Sequence, residues 1–249
     1  MEKFEFTGSQ GNQLSARLDS PEGDPKGYVL FAHCFTCTKD IFSAGRITKA
    51  LNNNGFAVVR FDFTGLGSSE GDFANTNFTS NVQDLSCAVD YMRENMKSPD
   101  ILVGHSLGGS AVLSAAKNIP EAKAVATIGS PADVEHVAHL FKDNHDEIME
   151  EGEAEVCLVG RPFKIKKQFI EDIKDQKLSE DIAQMRKALM IFHAPKDDIV
   201  GIENAEAIFK AAKHPKSYIS LDDADHLLSN KDDAEYVGNL IANWALHYI

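Results

Sequence analysis

The stretch Gly104-His105-Ser106-Leu107-Gly108-Gly109 decides how the rest of the chain is interpreted. The apolar run Ile101-Leu102-Val103 precedes it, and a segment typical of a helix, residues 110–117, follows it. A serine at the centre of G-x-S-x-G between a strand and a helix predicts a nucleophile elbow, a sharp turn with no room for bulk two positions before and after the serine. The following helix points its free N–H groups at the same place. The pattern therefore predicts that Ser106 is a nucleophile and that the chain supplies a base, an acid and an oxyanion hole.

The composition excludes several classes of function. The 249 residues, 43% of them hydrophobic, suffice for one domain with a full core. A balance of 38 acidic against 25 basic residues gives a net charge of −13, which repels nucleic acids and anionic membranes. The charged residues 1–6 do not resemble a signal peptide, no apolar run is long enough to cross a bilayer, and four cysteines make no disulfide framework. We therefore expect a cytoplasmic protein that acts on a small molecule, without nucleic-acid binding or membrane insertion.

Short apolar runs alternate with helical segments along most of the chain. Continuous apolar runs, which are typical of strands buried on both faces, occupy residues 27–32, 56–61, 101–103, 122–128 and 188–193, and a further strand is expected at 217–221. Helical periodicity is found at residues 41–53, 81–96, 203–212 and 232–247. Residues 3–8 and 12–19 alternate apolar and polar side chains and predict an antiparallel hairpin. The pattern indicates an α/β fold with a largely parallel sheet covered on both faces.

The alternation of strands and helices breaks between Pro131 and Gln184. This segment contains short amphipathic helices at 134–142, 146–151 and 167–174, and a short alternating stretch around Gly160. We interpret residues 131–184 as a lid inserted over the carboxyl edge of the sheet, with residues 1–130 and 185–249 forming the core. The alternative is a set of surface helices with no role at the site.

The base and the acid are expected in loops that follow later strands. A serine hydroxyl needs a base to take its proton, and a buried carboxylate must orient that base. In folds with this elbow the order along the chain is serine, acid, histidine. The loop 193–201 offers Asp197 and Asp198, of which we favour Asp197 as the acid, and the loop 222–228 offers His226 as the base.

The oxyanion hole requires two N–H donors near the serine. One is predicted to be the main chain of Leu107, the residue after the nucleophile. The other is expected from the loop after the strand 27–32, where the main chain of Phe35 is the candidate and its ring would line the acyl pocket.

These motifs resemble the α/β-hydrolase superfamily over nearly the full chain, and they are most similar to the branch of serine aminopeptidase-like hydrolases, monoglyceride lipases and cinnamoyl or feruloyl esterases. The resemblance lies in residues 33–35, 62–71, 104–109, 193–200 and 225–226. It implies the α/β-hydrolase fold, a mostly parallel eight-stranded sheet with helices on both faces and an inserted lid. It also implies carboxylic-ester hydrolysis by Ser106, Asp197 and His226, with an oxyanion hole from Phe35 and Leu107. No cofactor and no metal are expected.

One position departs from that family, which usually has glycine where this chain has Cys34. Residues 33–40, His-Cys-Phe-Thr-Cys-Thr-Lys-Asp, closely resemble the hydrolase half of bacterial proteins fused to an OsmC-like peroxide-handling domain. Such a domain is therefore an expected partner in fused relatives. Cys34 and Cys37 form a C-x-x-C, for which thiol control of esterase activity is one hypothesis. A chance spacing is favoured, because the flanking sequence lacks the context of a thioredoxin motif.

The sequence thus predicts a serine carboxylesterase that acts on small to medium acyl or aryl esters through an acyl-enzyme. Amide, thioester or peptide hydrolysis and perhydrolysis remain alternatives with the same triad, and a non-catalytic partner of an OsmC-type domain is a third. A homodimer is also left open. The residues expected to contact substrate are Cys34, His105, Phe141, Val159 and Phe163.

Overall fold

The computed structural model describes residues 1–158 and 160–249. The described strands are β1 Glu2–Thr7, β2 Gln13–Asp19, β3 Gly27–Ala32, β4 Phe56–Phe61, β5 Ile101–His105, β6 Ala124–Ile128, β7 Glu153–Leu158, β8 Arg161–Lys166, β9 Ala188–His193 and β10 Lys216–Ser220. The described α-helices are α1 Phe42–Asn53, α2 Phe78–Asn95, α3 Leu107–Ala115, α4 His145–Glu151, α5 Lys167–Lys174, α6 Leu178–Met185, α7 Glu203–Ala211 and α8 Lys231–Ala245. Short 3₁₀ segments occupy Phe73–Asn75, Ala116–Asn118 and Val134–Asn144.

Eight of these strands form one open sheet in the order β1-β2-β4-β3-β5-β6-β9-β10. The hairpin β1–β2 is antiparallel and joins β4 in antiparallel fashion, and every other pairing in the sheet is parallel. The prediction of a mostly parallel eight-stranded sheet is therefore confirmed. Because parallel strands place their carboxyl ends at one edge, the loops after β3, β5, β9 and β10 meet there.

Helices cover both faces of this sheet, as predicted. In β3, Leu30 packs into the core beneath α2, α3 and α7, whereas its neighbour Phe31 packs into the core beneath α1 and α8. Successive side chains of a strand point to opposite faces, so a strand between two helical layers must be apolar at every position. This requirement explains the continuous apolar runs in the sequence.

Two helices begin three residues earlier than predicted. Helix α2 starts at Phe78 because Asn77 and Ser80 form a capping box, in which the Asn77 side chain accepts the Ser80 N–H at 2.8 Å and the Ser80 hydroxyl accepts the Asn77 N–H at 2.9 Å. Helix α3 starts at Leu107, directly after the serine of the elbow. The glycines at its start made this first turn look like a loop in the sequence.

Residues 131–184 depart from the strand–helix alternation, as the sequence indicates. The alternating stretch around Gly160 is the antiparallel pair β7–β8, which forms a separate two-stranded sheet. The helix expected at 134–142 is a 3₁₀ segment interrupted at Phe141, which has a non-helical φ of −134°. Helix α6, which buries Leu178, Ile182 and Met185, was not predicted, because its eight residues show only two turns of periodicity. The role of this segment as a lid remains a prediction.

Candidate active site

Ser106 sits in a strained turn between β5 and α3. Its φ of 54° and ψ of −128° lie where residues other than glycine are rare. Its N–H donates to the Ile128 oxygen at 2.8 Å, which fixes the turn against β6. The conformation lifts the hydroxyl off the end of the sheet, as the elbow motif predicts.

The glycines around Ser106 are required by close approach of main chain and side chain. A Cβ atom on Gly104 would lie 2.4 Å from the Gly108 oxygen, and one on Gly108 would lie 2.3 Å from the His33 oxygen. A Cβ on Gly109 would overlap the Ser130 hydroxyl at 1.7 Å. The loop after β3 is therefore packed directly on the start of α3, which places residues 33–36 beside the serine.

A continuous hydrogen-bonded chain links the serine to a histidine and a carboxylate. The Nε2 atom of His226 lies 3.0 Å from the Ser106 hydroxyl, and its Nδ1 atom lies 2.8 Å from Oδ2 of Asp197. All three residues are at most 9% exposed. The structure thus brings together the three residues expected to act as nucleophile, base and acid.

Asp197, and not Asp198, occupies the position of the acid. Asp198 is exposed, whereas Oδ1 of Asp197 accepts the N–H groups of Ile199 and Val200 at 3.0 and 2.9 Å. Burial by itself raises the pKa of Asp197, but the hydrogen bonds from His226 and from these two N–H groups lower it below its ordinary value. Asp197 is therefore held as a carboxylate that can orient His226 and stabilise its protonated form.

His105 makes a contact that the sequence did not predict. It is 1% exposed, and its Nε2–H donates to the main-chain oxygen of His226 at 2.7 Å. Burial, together with the nearby His226, lowers the pKa of His105 to about 4. The structure therefore shows His105 as a buried support for the His226 loop, and the substrate contact expected from the sequence stays a prediction.

Two further residues next to the triad were missed in the sequence. His193, at the end of β9, is fully buried, donates from Nε2 to the Val200 oxygen at 2.7 Å, and lies 3.7 Å from Oδ2 of Asp197. Gly129 has a φ of 53° at the end of β6, and a Cβ there would lie 3.2 Å from Oδ2 of Asp197. Their position at the carboxyl ends of strands was the signal that could have identified them.

The two residues expected to donate to the oxyanion line one small cavity. Its volume is about 10 Å³, which is room for about one water molecule. Phe35 lines it from the loop after β3 and Leu107 lines it from the start of α3, together with Cys34 and the ring of Phe73. This placement is the one that an oxyanion hole requires, while the role of these two N–H groups remains a prediction.

Cys34 and Cys37 are joined by a disulfide, whereas Cys87 and Cys157 are free. The expectation of a chance spacing is therefore wrong. The chain turns back on itself between the two cysteines, so that their Cα atoms lie 5.2 Å apart, within the range that a disulfide spans.

The candidate lid residues Phe141 and Phe163 belong to a cluster of aromatic rings that adjoins the cavity. The ring of Phe163 packs on Phe73 with centroids 4.9 Å apart, and that of Phe141 packs on Phe169 at 6.0 Å. Phe35 contacts both Phe73 and Phe169, at 5.7 and 5.6 Å. Phe141 and Phe163 thus reach the cavity only through other rings, and Phe73 and Phe169 were missed in the sequence. The remaining candidate, Val159, lies outside the described residues.

His136 and His139 lie three residues apart in the segment 131–184, a spacing that could serve a metal, but the structure gives them local partners. His136 donates to the Ile199 oxygen at 2.9 Å and packs against His139. Within residues 1–158 and 160–249, no group of three or more metal-binding side chains is assembled, and no helix has the length and apolar character to cross a membrane.

Comparison with known proteins places this site in a family. Residues 23–150 match the model of the serine aminopeptidase family, S33. The esterase domain of a Rhodothermus marinus protein is 48% identical, with 99% of this chain and 98% of that one covered and a TM-score of 0.82. Est1E from Butyrivibrio proteoclasticus, solved with ferulic acid, is 21% identical over 98% of both chains, with a TM-score of 0.82, and shares the fold.

A curated relative comes from mouse. The mitochondrial palmitoyl-protein thioesterase ABHD10 of Mus musculus is 29% identical over 213 residues, which are 82% of this chain and 70% of the mouse protein. The family match spans half of the 249 residues and includes the elbow around Ser106. The chain therefore belongs to the serine aminopeptidase family S33, a hydrolase family with the α/β-hydrolase fold.

Proposed function

We propose that this protein hydrolyses carboxylic esters through an acyl-enzyme formed on Ser106. The observation that carries the proposal is the hydrogen-bonded chain from Asp197 through His226 to the Ser106 hydroxyl, with heavy-atom distances of 2.8 and 3.0 Å. A serine becomes nucleophilic when a histidine takes its proton during attack, and that histidine needs a buried carboxylate to fix its tautomer. The 48% identity to an esterase domain supports the same reaction.

The geometry assigns each residue a step. His226 accepts the Ser106 proton as the oxygen attacks the ester carbonyl, and then returns it to the leaving alcohol. Water next enters, His226 takes one of its protons, and attack on the acyl group releases the acid and restores the serine. Asp197 stays ionised throughout, since its lowered pKa keeps it a carboxylate beside the imidazolium.

The negative charge of the tetrahedral intermediate needs N–H donors. Leu107 begins α3, so its main-chain N–H is free of the helix ladder and lies at the positive end of the helix dipole. Phe35 lines the same cavity as Leu107. Removal of one such donor, where it points at the oxyanion, lowers kcat by a factor of about 10²–10³.

The aromatic lining of the cavity supports small to medium acyl or aryl groups as substrates. In this structure the space between Phe35 and Leu107 is about 10 Å³, so any acyl group, short or long, needs the cavity to open. Phe163 and Phe169, from the segment 131–184, pack on Phe73 and Phe35 of its lining, so movement of that segment would open it. On this basis, the segment acts as the lid.

A thioesterase is the second candidate, because the mouse relative is named a palmitoyl-protein thioesterase. The same triad serves a thioester, and a thiolate leaves with less help from a protonated histidine than an alkoxide does. A non-catalytic partner of an OsmC-type domain is disfavoured, since such a role gives no reason to keep the three triad residues hydrogen-bonded.

The discriminating experiment compares substrates that share one acyl group. Butyryl esters of p-nitrophenol, butyryl thioesters and butyryl anilides are offered to the wild type, to Ser106→Ala and to Ser86→Ala, whose hydroxyl donates only to its own helix at Val82. We expect ester turnover in the wild type and Ser86→Ala, and none in Ser106→Ala. A larger kcat/KM for thioesters moves the function to the second candidate, and unchanged turnover in Ser106→Ala rejects both.

A further inference from the structure

The turn that carries Phe35 is closed by two bonds between Cys34 and Cys37, one between main-chain atoms and one between side chains. The Cys37 N–H donates to the Cys34 oxygen at 3.1 Å, and the two side chains form the disulfide. Cys34 is 3% exposed, whereas Cys37 is half-buried. The bridge therefore spans one of the two candidate oxyanion donors and joins a buried cysteine to a more exposed one.

The third residue of this turn has a conformation that its side chain disfavours. Thr36 has a φ of 59°, in the left-handed region, where β-branched residues are genuine outliers. Such a conformation persists only where contacts with the surrounding structure hold the residue in place. The bridge across Cys34 and Cys37 is the covalent part of that restraint.

Non-covalent contacts hold the turn on two other sides. The N–H and the Nζ atom of Lys39 both lie 2.6 Å from the Asp62 carboxylate, which ties the downstream end to the loop after β4. From the segment 131–184, the guanidinium of Arg161 donates to the Thr36 oxygen and lies over the ring of Phe163. The turn thus connects the oxyanion loop to the predicted lid.

We propose that the Cys34–Cys37 disulfide is a redox-sensitive clamp on the oxyanion hole, and that its reduction by a dithiol lowers the hydrolytic rate. The bridged form holds the main chain of Phe35 where the oxyanion forms. With the bridge cut, Thr36 can return to a right-handed conformation and the turn loses its fixed shape. The proposal rests on the proposed function, because hydrolysis is one of its readouts.

The chemistry is thiol–disulfide exchange with a small dithiol as reductant. One thiolate of the dithiol attacks the sulfur of Cys37, the more exposed of the two cysteines, the disulfide breaks, and Cys34 leaves as a thiolate with the bonding electron pair. The second thiolate of the reductant then attacks the mixed disulfide and releases Cys37. The dithiol becomes a cyclic disulfide, its two protons pass to the two cysteines, and two electrons are transferred.

Reduction is expected to act on kcat more than on KM. The oxyanion exists only in the transition state, so a misplaced donor slows the chemical step and leaves ground-state binding largely intact. We expect kcat to fall at least about tenfold, which is less than the loss of a whole donor, because the contacts of Lys39 and Arg161 remain. KM is expected to change less than about twofold.

The test measures thiols and turnover on the same samples. Dithiothreitol is added under anaerobic conditions, free thiols are counted by alkylation and mass spectrometry, and p-nitrophenyl butyrate kinetics are recorded before reduction, after it and after reoxidation. The count should rise from two, Cys87 and Cys157, to four, and kcat should fall and then recover. Cys87→Ser and Cys157→Ser are the matched controls and should keep the response.

Variants and a second readout complete the test. The double variant Cys34→Ala/Cys37→Ala should have the low kcat of the reduced wild type, and dithiothreitol should not change it. Circular dichroism of the reduced wild type distinguishes a local change from unfolding. If the disulfide resists dithiothreitol in the folded protein, or if four free thiols are found with an unchanged kcat, the redox-sensitive clamp is rejected. Neither result contradicts the proposed ester hydrolysis. If no ester is turned over even before reduction, the proposed function fails instead. Hydrogen exchange at residues 34–39 then decides the clamp, with faster exchange on reduction expected and unchanged exchange overturning it.

Discussion

The Nε2–H group of His105 donates to the main-chain oxygen of His226 at 2.7 Å. The residue immediately before the nucleophile therefore supports the loop that carries the base, and its ring lies 5.4 Å from that of His226. Both ends of the Ser106–His226 hydrogen bond are thus held by a single dipeptide of the elbow.

Removal of this support should slow catalysis without weakening substrate binding. We expect His105→Leu to lower kcat about tenfold, because the His226 loop is then free to shift by a fraction of an ångström. His105→Gln, whose amide can still donate, should retain more activity. Steady-state kinetics with one p-nitrophenyl ester give kcat and KM. An unchanged kcat in His105→Leu contradicts the supporting role of His105.

The same histidine makes stability depend on pH in a defined window. Its pKa of about 4 in the folded protein lies below the ordinary value of 6.5, so the unfolded chain binds more protons between these values. The free energy of unfolding should therefore fall as pH drops from 6.5 toward 4, by about 3 kcal/mol for this residue. Urea titrations at pH 7 and pH 5 check the slope, which should be shallower in His105→Gln. Equal slopes in the two proteins would mean that another group causes the loss.

The adjacent aspartates provide a matched pair for the acid. Asp197→Asn should lower kcat about 10³–10⁴-fold, because an amide no longer stabilises the protonated form of His226. Asp198→Asn should change kcat less than about twofold, since this side chain is exposed. The reverse order of effects would assign the acid to Asp198.

The glycines of the elbow can be tested against a glycine in open space. Gly104→Ala places a methyl group 2.4 Å from the main-chain oxygen of Gly108, which cannot move without disturbing α3. We expect a loss of at least about 2 kcal/mol in the free energy of unfolding. Gly45→Ala meets nothing within 4 Å inside helix α1 and should gain about 0.5–1 kcal/mol. Urea midpoints measure both, and similar values for the two variants would refute the steric account.

The sequence is sufficient to predict the strands and the three triad residues for a physical reason. A strand buried on both faces must be apolar throughout, and the loops after such strands meet at one edge of the sheet, so the order of motifs pointed to Ser106, His226 and the pair Asp197 and Asp198. The hydrogen bond to His226 singles out Asp197 of that pair. His193 was missed because a histidine that closes an apolar run resembles a core residue, and only its position at the carboxyl end of β9 distinguishes it.

Two features could not be predicted from the sequence pattern in this way, the aromatic cluster and the disulfide. The aromatic cluster joins Phe35, Phe73, Phe163 and Phe169 from three separate parts of the chain. The disulfide depends on the shape of the turn around Thr36, which a C-x-x-C spacing does not specify. The C-x-x-C motif marked the two cysteines, which are three residues apart, but did not specify the turn that joins them. The aromatic cluster is set by packing between distant segments, which individual residues in the sequence do not reveal.

The acyl-enzyme on Ser106 is the central claim, and direct trapping tests it most sharply. Wild-type protein is mixed with p-nitrophenyl butyrate, quenched within milliseconds and digested, and the peptides are mapped by mass spectrometry. We predict a burst of p-nitrophenol of about one equivalent per site and a butyryl group on the Ser106 peptide, both lost in Ser106→Ala and both kept in Ser86→Ala. Turnover that persists in Ser106→Ala, or a butyryl group found on another residue, would contradict the account.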